Sequence, residues 1–255
     1  MNVVEKRTDG YHNLETIFFP VSLSDALEIV KSTETEFTAS GLQVDGDVEN
    51  NLVMKAYRLL QKKFELSPVK IHLHKVIPFG AGLGGGSSDA AFTLKMLNRL
   101  FDLNLSLLEL ENYASTIGAD CPFFIQNKPT FAHGIGDQFK EISLDLSDYE
   151  IVIVKPPFSV NTADAYRNIR PQKTDFDLTN LKTLPIDEWK NQVKNDFETS
   201  VFPQFPELSE IKQKLYKAGA NYASMSGSGS AVYGIFRYLP VDLATFLPDS
   251  VFIYR

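Results

Sequence analysis

A single cysteine, Cys121, stands in a chain of 255 residues, which excludes an internal disulfide and any metal site built from several cysteines. No apolar run approaches the roughly 20 residues that cross a bilayer as a helix. The opening segment, Met1 to Gly10 by way of Glu5, Lys6 and Arg7, lacks the apolar stretch of a secretion signal. Membrane partners are therefore not expected, and the expected place of action is the cytoplasm. Basic residues are the minority: 25 Lys and Arg against 32 Asp and Glu leave a formal charge of −7. That balance argues against nucleic acid as a partner, because duplex binding rests on cations that neutralise phosphates. Internal repeats, low-complexity tracts and long charge blocks are also missing.

What is present is an ordinary globular composition, 44% hydrophobic and 22% charged, long enough for one large domain or two of common size. The start is rich in strand patterns. Residues 1–19 read as two strands around a turn at Asp9-Gly10, and 26–30 and 36–42 as two more. Residues 51–64 show helical spacing, and 70–77 alternate with Ile71, Leu73 and Lys75 on one face. A helix follows with Ala90, Leu94, Leu97 and Phe101 on one side and Ser87 or Ser88 as its cap. Ser106 and Glu109 form a capping box for the next, which Gly118 is placed to end. Further strands are predicted at 131–142, on both sides of Gly134 to Asp137, and at 150–155, and helical pieces over 161–194. A helix over 207–217 precedes strands at 221–223 and 231–236. The pattern divides near residue 150 into two α+β lobes.

Between the strand ending at Ile77 and the helix beginning near Ser87 lies Pro78-Phe79-Gly80-Ala81-Gly82-Leu83-Gly84-Gly85-Gly86-Ser87-Ser88. Glycines let the backbone take positive φ and approach a ligand closely. The helix start adds unpaired N–H groups and a partial positive charge, so the stretch reads as a phosphate cradle. Gly80, Gly82 and Gly85 satisfy G-x-G-x-x-G, yet Asp102, at the distance of a Rossmann acidic residue, lies between two helices with no strand before it. A P-loop needs lysine after the last glycine, where this chain has Ser87. Asp120, in Gly118-Ala119-Asp120-Cys121-Pro122, is the best acid or base candidate. The second small-residue loop is Ser226-Gly227-Ser228-Gly229-Ser230.

Taken in order, these motifs resemble the GHMP kinases, a superfamily of small-molecule kinases. The glycine stretch corresponds to their middle motif and residues 226–231 to their C-terminal one. Arg7-Thr8-Asp9-Gly10-Tyr11-His12, Asn51-Leu52-Val53, the Asp120 segment and Phe131 to Asp137 resemble one branch. Its members phosphorylate the 2-hydroxyl of 4-diphosphocytidyl-2-C-methyl-D-erythritol in non-mevalonate isoprenoid biosynthesis. The resemblance implies an α+β, two-lobed fold. Residues 1–149 would form an N-terminal ATP-binding lobe like domain 2 of ribosomal protein S5, and 150–255 a ferredoxin-like C-terminal lobe, with ATP and substrate meeting between them. It implies ATP as co-substrate, with Mg²⁺, and a cytidine diphosphate derivative as the small-molecule partner. Pro78, Gly80, Gly82, Leu83, Gly84, Gly85, Gly86, Ser87, Ser88 and Asn51 would bind ATP. Asp120 would take the proton from the attacking hydroxyl and so touch substrate. Tyr11 and Tyr166 would sandwich the cytosine and His12 bond its edge. The alternatives are another GHMP kinase, acting on a sugar, mevalonate or homoserine, and a non-catalytic nucleotide-binding module. Neither metal ligands nor oligomeric state follow from the residues.

One departure stands out. The family places a Lys-Ile-Asn-Leu strand about a dozen residues before Asp-Gly-Tyr-His, and its lysine assists catalysis. The sequence as given starts at Met1, too late to include it, and Lys6 lies beside the turn on the wrong side of its strand. Either the natural start is upstream or the protein is a shortened one. Without that strand a sheet edge should be bare, and without the lysine the transition state loses a positive charge. A chain starting at Met1 is expected to bind ATP and the cytidine substrate weakly and to turn over slowly. Its rate beside that of a chain extended through the upstream strand is the check, and equal rates would count against it.

Overall fold

The structure, a computed structural model, describes residues 1–44, 46–174, 176–248 and 251–254. In chain order, strands β1 (Asn2–Lys6) and β2 (His12–Phe18) form a hairpin, and β3 (Ala26–Lys31) and β4 (Glu36–Gly41) precede helix α1 (Leu52–Phe64). Strand β5 (Val69–Lys75) leads through the glycine stretch into α2 (Gly85–Leu100), followed by α3 (Leu107–Ser115) and the short α4 (Phe123–Gln126). Then come β6 (Thr130–Gly134), β7 (Gln138–Glu141), β8 (Glu150–Lys155), α5 (Thr162–Arg167), α6 (Trp189–Gln192) and α7 (Phe197–Val201). The chain closes with α8 (Pro206–Lys217), β9 (Tyr222–Met225), β10 (Val232–Phe236) and β11 (Phe252–Tyr254). Among the described residues no helix is long and apolar enough to cross a membrane.

The chain forms two compact units, and they do not part near residue 150. One comprises Phe19–Phe79 and Gly84–Lys128, the other Met1–Phe18, Gly80–Leu83 and Pro129–Arg255. Strand pairing is the reason. β2 pairs antiparallel with β6, Leu14 opposite Gly134 through Phe18 opposite Thr130, which binds the N-terminal hairpin to later strands rather than to its sequence neighbours.

In the first of these units the sheet runs β3-β5-β4, with β5 antiparallel to β3 and parallel to β4. Strand alternation puts Val69, Ile71, Leu73 and Lys75 of the central strand on the buried face. There α1 contributes Met54, Tyr57 and Leu60, and α2 contributes Ala90, Leu94 and Leu97. Burial of each large apolar side chain in such a core is worth about 1.5–3 kcal/mol. Lys75 shares this face with no apolar group at its tip, and its charge must be answered inside.

Helix starts differ from expectation at one place that matters. Ser106 and Glu109 do form a reciprocal capping box, and Asn51 caps α1 by accepting from the Val53 N–H at 2.9 Å. Ser87 and Ser88 cap nothing: the N-cap of α2 is Gly84, three or four residues earlier, in the left-handed region and with no side-chain cap. The glycine can turn the chain more sharply than a serine, and so the helix starts sooner. At the far end of α3 the helix stops at Thr116, before Gly118.

The other unit holds the sheets β1-β2-β6-β7 and β11-β8-β10-β9. Val3 and Leu14 join Val152, Val154, Leu208, Ile211, Leu215 and Phe236 in one core. The outer side of β1 is not bare, contrary to the expectation above. Gln172 N donates to Val3 O at 2.9 Å, Val3 N to Asp196 Oδ2 at 2.8 Å, and Asp196 N to Met1 O at 2.9 Å. Helix α7 and strand β11 were not anticipated, since five and three residues are too few to show a period.

The capping box offers a direct check on these assignments. Ser106→Ala removes the Oγ that accepts from Glu109 N and keeps the backbone bond from Ser106 N to Glu109 Oε2, and should cost about 1 kcal/mol, read as a lower urea midpoint with unchanged slope.

Candidate active site

The glycine stretch is shared between the two units. Gly80 and Gly82 take φ of +58° and +71°, so alternate residues turn through a conformation that a side chain would strain. In the unit that holds them, Gly80–Leu83 is bonded to the second small-residue loop. Ala231 N donates to Ala81 O at 3.0 Å, Ser230 N to Gly80 O at 3.3 Å, and Ser226 Oγ to Gly82 O at 2.7 Å. A Cβ on Gly82 would lie 2.2 Å from Ser226 O, so only glycine permits this approach.

Two residues that sequence reasoning missed hold the second loop in place. Asn195, buried, donates through Nδ2 to Met225 O and Gly227 O, both at 2.8 Å, and its Oδ1 accepts from Phe197 N. Glu198 accepts from Ser224 Oγ and Met225 N, each at 2.9 Å, and pairs with Lys212. The sole signal in the sequence was polar residues flanking Phe197, which fits a surface helix equally well.

In the other unit Gly84 hands the chain to α2. The N–H groups of Gly85, Gly86 and Ser87 have no intrahelical acceptor, and Ser88 N is the first to donate back, to Gly84 O at 2.9 Å. Asp120 belongs to this neighbourhood. It sits in the turn after α3; the next residue, Cys121, is fully buried, and the ring of Phe124 packs against the start of α2, 2.8 Å from where a Cβ on Gly84 would be. The Asp120 side chain reaches solvent, yet lost hydration among the surrounding protein atoms pushes its carboxyl above the ordinary aspartate value. Burial likewise pushes the Cys121 thiol up, so it is a packing group and not a nucleophile. Asn51 spends its side-chain oxygen capping α1, and the adjacent Leu52 lies against Gly86, 3.6 Å from where a Cβ would be.

Tyr11, His12 and Tyr166 fall in the unit with the second loop. Tyr11 is on the hairpin turn, 62% exposed. The rings of His12 and Tyr166 are stacked, centroids 4.8 Å apart and planes 25° apart, and Tyr166 meets Phe197 edge-on. Here His12, not Tyr11, covers Tyr166. Partial burial, and then the nearby Lys6 charge, lower the His12 pKa, so the imidazole is neutral at neutral pH and keeps one donor and one acceptor. Among the described residues no three His, Cys, Asp or Glu side chains gather as a metal site.

Comparison with known proteins identifies the family. The family description "GHMP kinases N terminal domain" matches residues 51–128, and "GHMP kinases C terminal" matches 179–244. A 4-diphosphocytidyl-2-C-methyl-D-erythritol kinase of Bacteroides thetaiotaomicron is 56% identical over 240 residues, 92% of this chain and 88% of that protein. The enzyme of the same name from Cytophaga hutchinsonii is 47% identical over 94% of the chain and 89% of its own length. A crystal structure of 4-(cytidine 5'-diphospho)-2C-methyl-D-erythritol kinase superposes with a TM-score of 0.78 at 33% identity, over 92% of this chain and 85% of that one. A mevalonate kinase of Methanococcus jannaschii, at 15% identity and a TM-score of 0.70 over 96% of this chain and 91% of its own, shares the fold.

The glycines separate by what surrounds them. Gly82→Ala, at positive φ and against a carbonyl, should cost at least ~1–3 kcal/mol and lower the melting temperature. Gly86→Ala, inside the helix and in ordinary contact with Leu52, should leave it unchanged or slightly raised, as differential scanning calorimetry would show.

Proposed function

The chain belongs to the GHMP kinase family, and from that premise we propose that it transfers the γ-phosphoryl group of ATP to the 2-hydroxyl of 4-diphosphocytidyl-2-C-methyl-D-erythritol, a step of non-mevalonate isoprenoid biosynthesis in the cytoplasm. The observation that carries the reading of the site is the packing of Phe124, four residues after Asp120, against Gly84, which ties the Asp120 turn to the uncapped start of α2. A candidate base and a candidate phosphate site thus share one small neighbourhood.

In this reading the first-turn N–H groups of α2 hold the phosphates of ATP, and the helix dipole favours their charge. Asp120 accepts the proton of the substrate 2-hydroxyl as its oxygen bonds to the γ-phosphorus; the bond from that phosphorus to the β-bridging oxygen breaks, and ADP leaves. Phosphoryl transfer asks chiefly for alignment and charge stabilisation, so a single positioned carboxylate is enough base. Its raised pKa brings Asp120 toward the range where a base both holds and yields a proton near neutrality. His12 reads the cytosine edge, and Tyr166 and Tyr11 supply ring faces. Asn51 lines the nucleotide side through the contact of Leu52 with Gly86, and residues 226–230 serve the phosphate end of the substrate.

Mg²⁺ ordinarily accompanies ATP and is held mainly by phosphates, water and one or two carboxylates. The described side chains do not fit a protein-built cage for it, and no step here passes through the ion.

Asp120→Asn should lower kcat by about 10²–10⁴-fold while leaving the KM for the cytidine substrate nearly unchanged, measured as substrate-dependent ADP release. Two acid limbs should separate with pH. A base must be unprotonated, so kcat falls as pH drops through the Asp120 pKa, above the usual 3.8. The substrate KM rises only below the ordinary histidine value of 6.5, where His12 protonates. A substrate KM that climbed between pH 8 and 7 would contradict the role given to His12.

A further inference from the structure

Strand β5 places its last residue, Lys75, where the alternation of Val69, Ile71 and Leu73 calls for another apolar side chain. The lysine is 1% exposed, and its ammonium is answered by two carboxylates that are themselves buried, Asp25 at 3% and Asp89 at 7%. Groups of this kind rarely add stability, since desolvation consumes most of the attraction and well-packed apolar residues serve as well. Their use here lies in what they connect.

Asp25, in the segment before β3, accepts from Lys75 Nζ at 2.5 Å through Oδ2. Its other oxygen accepts from the backbone N–H groups of Val76 and Ile77, at 2.5 and 2.8 Å, the last residues before the glycine stretch. Asp89, one turn into α2, accepts from the same ammonium at 2.8 Å. Lys75 Nζ also lies under Gly85, 3.1 Å from where a Cβ would be, and 5.2 Å from the ring of Phe79. The residues just before the stretch and those just after it are therefore held to one buried charge.

We propose that Lys75, Asp25 and Asp89 form a clasp that fixes both ends of the glycine stretch in the geometry that receives ATP, with Lys75 a positioning residue that does not touch the nucleotide. The inference rests on the reading of this stretch as the ATP site. Glycines are costly to order, and a loop whose ends are already set loses less on binding. The charge count separates positioning from attraction. Burial pushes the Asp89 carboxyl up to about 6, and with two carboxyl groups to one ammonium the cluster carries no net positive charge. A group without net positive charge does not attract phosphate, so the clasp does not work by drawing the ligand in.

That sign makes the test sharp. Asp25→Asn removes a negative charge but keeps an oxygen for Val76 and Ile77. An electrostatic role predicts tighter ATP binding in this variant, whereas the clasp predicts weaker binding. Isothermal titration with ATP should show a loss of about tenfold or more for Asp25→Asn and for Lys75→Met. The KM for the cytidine substrate should stay within about twofold of wild type, as remote misplacement acts on the nucleotide alone. Leu94→Ala, a core variant of the same helix, serves as the stability control: its melting temperature falls while its ATP affinity holds. Normal ATP binding by wild type together with unaffected or tighter binding by Asp25→Asn overturns the clasp alone, as does a loss no greater than that of Leu94→Ala. A wild-type chain that binds no ATP overturns the reading of the nucleotide site and the clasp with it. Where Lys75→Met yields no folded protein, the sign of the Asp25→Asn effect still decides.

Discussion

The first turn of any helix carries N–H groups that the helix cannot pair, and something must accept from them. In α1, α3 and α5 a side chain does so: Asn51, Ser106 with Glu109, and Asn161. In α2 the preceding residue is Gly84, which has no side chain to offer, and the donors remain for something else to satisfy. Much of the candidate site follows from that vacancy. The left-handed turn at Gly84 sets where the helix begins, and the space left by its missing side chain is where the Phe124 ring packs. Phe124, whose N–H donates to Cys121 O, in turn locates the turn that bears Asp120.

Stability is given up to build this arrangement. An uncapped helix, a stretch with five glycines, a carboxylate with impaired hydration at Asp120 and a buried group of three charges are each less stable than plainer alternatives. The surrounding cores supply what is lost, through Tyr57, Leu60, Leu94 and Leu97 in one unit and Val152, Val154, Leu215 and Phe236 in the other. The second small-residue loop is held on the same pattern, with Asn195 and Glu198 as the polar anchors of a backbone too flexible to hold itself. In both loops glycine gives close approach, and a buried polar side chain from elsewhere gives definition.

Much of this was legible in the chain. The period-2 pattern of β5 and the capping box of α3 are written in adjacent residues, and both occur as read. The glycine stretch and the Asp120 segment were singled out because residue type and spacing alone point to their chemistry. Less was visible where the outcome depended on partners far away. The start of α2 was misplaced because serine is the commoner cap and nothing local shows that Gly84 turns first. A boundary near 150 was read from the order of the predicted strands and helices, whereas β2 pairs with β6 more than a hundred residues on. Asn195 carried no legible role at all.

The sequence by itself determined the family, the order of most strands and helices, and the residues in which phosphate and base chemistry should be sought, because these rest on short-range spacing. Only the tertiary structure decided which of those residues share a neighbourhood. Lys75 shows the division most plainly. Its inward direction follows from the alternation of a single strand. What it meets there, Asp25 and Asp89 at separations of 50 and 14 residues, follows only once the sheet is paired and α2 lies across it. A local period can turn a side chain toward the interior; the partners waiting there are a property of the whole fold.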